Sequence, residues 1–406
     1  MSHSGTLILI MSIGVLAPLL AFLAGRWLAV PLVIFEIVLG ILIGPDVLGW
    51  AHPDALVDGL SELGLAMLIF LAGYEIEFGK VRGDTLTRSV RAWLLTLAAG
   101  LGLGVLLAGG DFHQGVYVGT ALTSTALGTV LPVLRDAGEL QGRFGSVVMA
   151  FGAVGEFGPI IAMALLLSGR RPAEATALLA VFAALTAFGV YWALRPRAPW
   201  FSRVVRRTLH TSGQFAVRFV FLLLALMLGA AHALGLDMLL GAFAAGLITR
   251  LLLDGAAPEE GPEILAKVEA VGFGFLVPLF FVVTGIEFDL ASLLDGGRTL
   301  LLLPVFLLLF LLVRGGPVWL LAPRDLAPRS RAALALYGST ALPLVVAIAA
   351  MGVDDGALGA GEAAALVGAA MVSVLLFPLL ALRCRAGAGA GAQSPPGERV
   401  TGSESW

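Results

Sequence analysis

Charge is scarce in this sequence: Asp, Glu, Lys and Arg make up 13% of the 406 residues, against 59% hydrophobic. That is too little polar surface to coat a water-soluble globule of this size, so the chain needs lipid as its solvent. Cysteine is almost absent, and the lone Cys384 excludes an intrachain disulfide and a multi-cysteine metal site. There is no Walker motif and no His/Cys cluster, which argues against ATP drive by this chain, against a cofactor and against an enzyme. Strand-length alternation is also missing, so the spans are expected to be helices rather than a barrel. The first apolar run, from Thr6, has no basic residue before it and no small-residue cleavage site after it. It is expected to be a retained helix, not a signal peptide.

Long apolar runs are what the chain does have. Thirteen spans are predicted, at 6–25, 30–49, 60–79, 90–109, 115–134, 144–168, 173–194, 213–233, 236–253, 268–287, 299–321, 331–352 and 363–384. Each approaches the roughly 20 residues that cross about 30 Å of hydrocarbon. Basic residues segregate between alternate loops: Arg26, Lys80, Arg82, Arg88, Arg91, Arg135, Arg143, Arg195, Arg197, Arg203, Arg206 and Arg207 share one side. Arg250, Lys267, Arg324, Arg329, Arg331, Arg383, Arg385 and Arg399 join them, whereas Arg170, Arg171 and Arg298 fall opposite. By the positive-inside rule the N-terminus is expected outside and the C-terminus in the cytoplasm.

Three segments recur in order. Leu39-Gly40-Ile41 resembles Leu240-Gly241-Ala242; Phe70 with Ile76-Glu77-Phe78 resembles Phe280 with Ile286-Glu287-Phe288; Ser124-Thr125-Ala126-Leu127 matches Ser339-Thr340-Ala341-Leu342. Members of each pair lie seven spans apart, an odd number, so matched helices would cross the membrane in opposite directions. The prediction is an all-α polytopic membrane domain over 1–385: repeat one at 6–168, a linker helix at 173–194, and an inverted repeat two at 213–384. The tail at 386–406, rich in Gly, Ala, Pro and Ser, is expected to be disordered. It is too short for a nucleotide-binding regulatory module, which would have to be a separate subunit.

The chemistry-bearing residues fall inside the spans. Thr123-Ser124-Thr125-Ala126-Leu127-Gly128-Thr129, followed by Pro132, and Gly338-Ser339-Thr340-Ala341-Leu342-Pro343 place hydroxyls, glycine and proline at mid-membrane. Proline deletes an amide donor and Ser/Thr compete for carbonyls, so both helices are expected to break there and expose hydroxyls and carbonyls to an ion. Glu156 is the one acidic residue deep in the sixth span. A buried carboxylate is costly; it either serves an exchange site, holding a proton and a cation in turn, or pairs with a basic neighbour. Arg314 lies centrally in the eleventh span and could offset carboxylate charge or the negative end of a broken helix. Snorkelling is its alternative. Glu36, inside the second span, could partner Arg314 or cap irregular backbone. Glu75, Glu77, Glu287 and Asp289 are read as interfacial, and Arg218 as snorkelling.

Taken together, Pro31–Pro45 with Glu36 and Gly40-Ile41-Leu42-Ile43-Gly44-Pro45, Leu63–Phe78, Ser124–Leu134 and Pro278–Asp289 resemble the monovalent cation:proton antiporter superfamily. The likeness is strongest to the branch of bacterial sodium/proton antiporters and potassium-efflux proteins. The resemblance implies the sodium/proton antiporter fold, with broken helices crossing beside an essential carboxylate, a homodimer, and a bacterial plasma membrane location. Glu156 falls at the family's aspartate and Arg314 at its Lys or Arg. Where the family has Asn-Asp, Asp-Asp or Gln-Asp, this chain has Gly155-Glu156.

The function expected is exchange of Na⁺ or K⁺ for H⁺ by alternating access, electroneutral because one titrating carboxylate is seen. Glu156 would bind the ion, and Ser124, Thr125, Ser339 and Thr340 would complete an oxygen shell. A regulated potassium pathway or a non-transporting membrane sensor stand as alternatives. Lipid is the expected surrounding, and no nucleic acid partner is expected.

Overall fold

The computed structural model describes residues 3–24, 30–75, 83–140, 142–195, 199–294 and 297–389, and the regular structure among them is helical throughout. The chain begins with α1 (His3–Ala24), a short α2 (Leu32–Ile43), α3 (Ala55–Glu75) and α4 (Asp84–Leu107). Two half-length helices follow, α5 (Phe112–Ala121) and α6 (Leu127–Asp136), and then the long α7 (Gly142–Leu166). α8 (Pro172–Leu194) and the amphipathic α9 (Pro199–Thr208) lead to α10 (Phe215–Ala233) and α11 (Met238–Ala256). α12 (Gly261–Val271) runs through a π-helical turn into α13 (Val277–Ile286), and after the short α14 (Leu290–Leu294), α15 (Gly297–Leu309) runs through another into α16 (Gly316–Leu321). A second half-length pair, α17 (Pro328–Gly338) and α18 (Pro343–Asp354), precedes α19 (Ala360–Gly389).

Among the described residues, eleven helical stretches are long and apolar enough to cross a membrane. The two predicted spans missing from that number have local causes. In the second, Pro31 begins α2 and Gly44-Pro45 ends it after 12 residues. The chain then folds back, with the amides of Leu48 and Trp50 donating to the carbonyls of Leu42 and Ile43 at 3.2 and 3.0 Å. The fifth is divided between Ala121 and Leu127. Contrary to the expectation from sequence, Pro132 does not cause that division: it lies within α6. α19 extends past the predicted tail boundary to Gly389. Residues 390–406 and Glu77 lie outside the described residues.

Proline does shape the two π turns. Pro278 follows the turn Gly272–Leu276 and Pro317 follows Phe310–Gly315. Lacking an amide, neither can donate to the carbonyl one α-turn back, so the hydrogen-bond ladder slips there. The second slip positions Arg314.

Backbones meet closely where α3 crosses α11. A methyl on Gly246 would overlap the Phe70 carbonyl, and one on Gly73 the Phe243 carbonyl. In lipid there is no hydrophobic drive between helices, so small residues that permit such approach hold the bundle through packing. Polar ties join helix ends on both faces. Tyr117 donates to Asp355, joining α5 to the end of α18, and Gln114 donates to Glu362 of α19 at 2.5 Å. On the opposite face Arg385 of α19 donates to Glu139 at 3.0 Å, and Arg143 to Asp325 at 3.0 Å.

Candidate functional site

The two interruptions meet. Within each, hydroxyls do locally what a helix ending requires: Thr123 donates to the Thr120 carbonyl at 2.7 Å, Ser124 to Ala121 at 3.0 Å, Ser339 to Ala335 at 2.8 Å and Thr340 to Leu336 at 3.1 Å. Those hydroxyls share the helix-end carbonyls with the last backbone amides of each half-helix. Between the interruptions the bonds are long-range. The Ala126 amide donates to the Thr340 carbonyl at 2.7 Å, and the Thr125 hydroxyl to the Gly338 carbonyl, the last of α17, at 2.6 Å. Ser373 of α19 holds the second break, within 3.1 Å of both the amide and the carbonyl of Ala341.

α7 docks against this crossing through a gap in its own ladder. Pro159 has no amide, so the carbonyl of Gly155, four residues earlier, lacks its helical donor. The Thr125 amide supplies one at 2.9 Å. One turn back on α7, the Phe151 carbonyl accepts from Arg314 Nη2 at 2.9 Å, while Arg314 Nε donates to Thr125 Oγ1 at 2.9 Å. Arg314 is fully enclosed, at 0% exposure, so snorkelling does not apply. Glycine at 155 is what makes room: a Cβ there would strike both the Arg314 guanidinium and the Thr125 hydroxyl.

Glu156 is buried, at 4% exposure, with the Leu127 amide as the backbone donor that acts on its carboxylate. Leu127 is the first residue of α6, so the carboxylate sits at the positive end of a half-helix dipole. The acid therefore takes its compensation from backbone. The base serves the opposite polarity, because Arg314 acts through Thr125 on the carbonyl end of α17. Of the two roles expected for Arg314, the contacts match the one at a broken-helix end and not the pairing with a carboxylate: its hydrogen-bond partners among the described residues are a hydroxyl and a carbonyl. Glu36 is buried on α2, which packs on α1 and α13, and takes no part in the Arg314 contacts.

Thus Thr125, Gly155, Glu156 and Arg314 converge, while Ser124, Ser339 and Thr340 serve first as caps. A small cavity lined by Thr125, Leu127, Phe151, Gly152, Tyr337 and Gly338 adjoins them. Asp289 and Glu287 are peripheral as expected, Asp289 capping α14 through the Ser292 amide at 2.7 Å. Glu75 is different: its Oε2 is buried and without a hydrogen-bond partner among the described residues, and it lies in electrostatic range of Glu156. Sequence reading also passed over Pro159 and Ser373. Pro159, four residues after Gly155, was a visible signal; Ser373 carried none.

A polytopic helical membrane protein with two interrupted helices crossing beside a buried carboxylate has the build of a secondary ion carrier. The family described as sodium/hydrogen exchanger, transmembrane, matches residues 11–382, and the chain belongs to that family. In fold it is similar to the sodium proton antiporter MjNhaP1 from Methanocaldococcus jannaschii at pH 8. The TM-score is 0.65 over 96% of this chain and 98% of that one, with 16% identity. The sequence is 26% identical to YjbQ of Bacillus subtilis (strain 168) over 93% of this chain, and spans 63% of that protein's length. It is 24% identical to an Na⁺/H⁺ antiporter of Enterococcus hirae, covering 71% of this chain and 75% of the relative. The Na⁺/H⁺-K⁺ antiporter GerN of Bacillus cereus is 27% identical over 64% of this chain and 66% of its own.

Proposed function

We propose that this chain exchanges a monovalent cation, Na⁺ or K⁺, for H⁺, with Glu156 as the group that binds the two in turn. The observation that carries this reading is the placement of the Glu156 carboxylate at the Leu127 amide, inside a break built from opposed half-helices. A carboxylate held there by backbone, and not neutralised by Arg314, is left for an exchangeable cation or proton. Thr125 and the carbonyls of the breaks are the oxygens offered to the ion beside it. Membership in the sodium/hydrogen exchanger family, and the antiporter names of the relatives, support the same reading.

The remaining elements of the proposal follow. The two half-helix pairs, α5 with α6 and α17 with α18, belong to inverted repeats at 6–168 and 213–384, and rocking of one helix group against the other gives alternating access. Arg314 keeps its proton, so one carboxylate sets one-for-one, electroneutral exchange. The basic loops face the cytoplasm, the N-terminus lies outside, and the protein works as a homodimer in a bacterial plasma membrane.

The test is proton flux in proteoliposomes with Na⁺, K⁺, Li⁺ and choline supplied in turn. At least one alkali cation should drive proton movement that choline does not, at a rate insensitive to an imposed membrane potential. No cation-driven flux from folded protein would overturn the exchange reading; a rate that follows the potential would overturn electroneutrality alone.

A further inference from the structure

We infer that Glu75 is a second cation-binding carboxylate, placed on the route between Glu156 and the face that carries the basic loops. The inference rests on the exchange reading above and extends it from one residue to a path.

Glu75 is the last residue of α3, the end that lies toward the arginine-rich loops. Its Oε2 is closed off from solvent and has no hydrogen-bond partner among the described residues. A carboxylate oxygen left unpartnered inside a membrane protein is costly unless something polar and mobile visits it. The packing that places it is specific. Gly73, two residues before, lies on the Phe243 carbonyl of α11, and the Phe243 ring stacks at 4.4 Å on Phe157, the immediate neighbour of Glu156. One step thus connects the backbone carrying Glu75 to the backbone carrying Glu156, and the two carboxylates lie in electrostatic range. On α11, one turn beyond the Gly246 crossing with Tyr74, Thr249 presents another buried hydroxyl without a partner.

The charged groups around Glu75 are Arg135 of α6, Glu269 of α12 and Arg250 of α11, besides Glu156 of α7. Arg250 is engaged elsewhere by Asp254 at 3.0 Å and by the Tyr74 carbonyl at 3.3 Å. On the opposite face Tyr117 donates to Asp355 and Gln114 to Glu362. The inferred path from the basic-loop face to Glu156 runs past Glu75. Two carboxylates in series raise the local cation concentration and shorten the desolvated step between them. The ligand class is a monovalent alkali cation, the same one Glu156 takes.

The experiment compares full-length wild-type, Glu75→Gln and Glu75→Asp proteins in proteoliposomes, each confirmed monodisperse, with Na⁺ and K⁺ titrated from the basic-loop face. Glu75→Gln should raise the apparent KM for the cation about tenfold while the maximal rate stays within about threefold, and Glu75→Asp should restore most of the affinity. A structural role would instead lower the maximal rate and unfolding temperature together, in both variants. If Glu75→Gln exchanges with wild-type KM, the inference is overturned and Glu156 stands. If Glu75→Gln does not fold, Glu75→Ala decides: a raised KM at unchanged maximal rate supports the inference, and an unchanged KM overturns it. Absence of exchange in the wild type overturns the proposed function, and this inference with it.

Discussion

Arg314 Nε donates to Thr125 Oγ1 at 2.9 Å, joining residues 189 apart in sequence at the point where the two interrupted helices cross. The same hydroxyl donates onward to the Gly338 carbonyl at 2.6 Å, so one side chain fastens α6, α15 to α16, and α17 together. Thr125→Val keeps the shape and removes both bonds, leaving a buried guanidinium nitrogen and a helix-end carbonyl unpaired. It should cost about 1–3 kcal/mol, while Thr125→Ser should cost far less. Thermal unfolding in detergent checks the order.

Gly155 is the space into which the guanidinium fits. Gly155→Asn, which restores a residue common at this position in the resembling superfamily, should destabilise rather than improve the protein. Its Cβ would overlap Arg314 and Thr125. Overpacking of this kind costs about 1–3 kcal/mol. Gly155→Ala should already show most of the loss in unfolding temperature, because the collision begins at Cβ.

The tie from Tyr117 joins α5 to Asp355 at the end of α18. Tyr117→Phe and Asp355→Asn should each lower stability by about 1 kcal/mol, and the double variant should lose little more than either alone. A double-mutant cycle by unfolding temperature tests this coupling; additive losses would show that the pair does not act as one contact.

Asp325, in the loop before α17, is held below its usual carboxylate value of 3.8, chiefly by the hydrogen bond from Arg143. A depressed value in the folded state adds stability at pH above 3.8, and that stability fades as pH falls through the lower folded value. Both side chains are about half exposed, so the effect is small. Asp325→Asn should unfold slightly below wild type at neutral pH, with the difference closing in acid. Unfolding temperature as a function of pH measures it.

Much of the architecture was legible because lipid imposes simple rules. Runs from Gly142 to Leu166 or from Ala360 to Arg385 are read as spans by length and apolarity alone. The breaks were legible because Ser-Thr-Ala-Leu recurs and Pro343 follows the second copy. What could not be read was partnership across long stretches of chain. Nothing local to Arg314 says that it serves the α17 carbonyl end through Thr125 and not a carboxylate. Nothing near Glu75 distinguishes a helix-end acid in water from one enclosed against α11. Pro132 misled because its effect depends on where the helix restarts: at Leu127 the ladder has begun before proline is reached.

The central claim is that Glu156 binds cation and proton alternately. It is tested most directly by Glu156→Gln in proteoliposomes, with internal pH followed as Na⁺ or K⁺ is added outside. The account predicts that the variant, monodisperse and as heat-stable as wild type, falls to the flux of empty liposomes while wild type exchanges. Cation-driven proton flux retained by Glu156→Gln would contradict it.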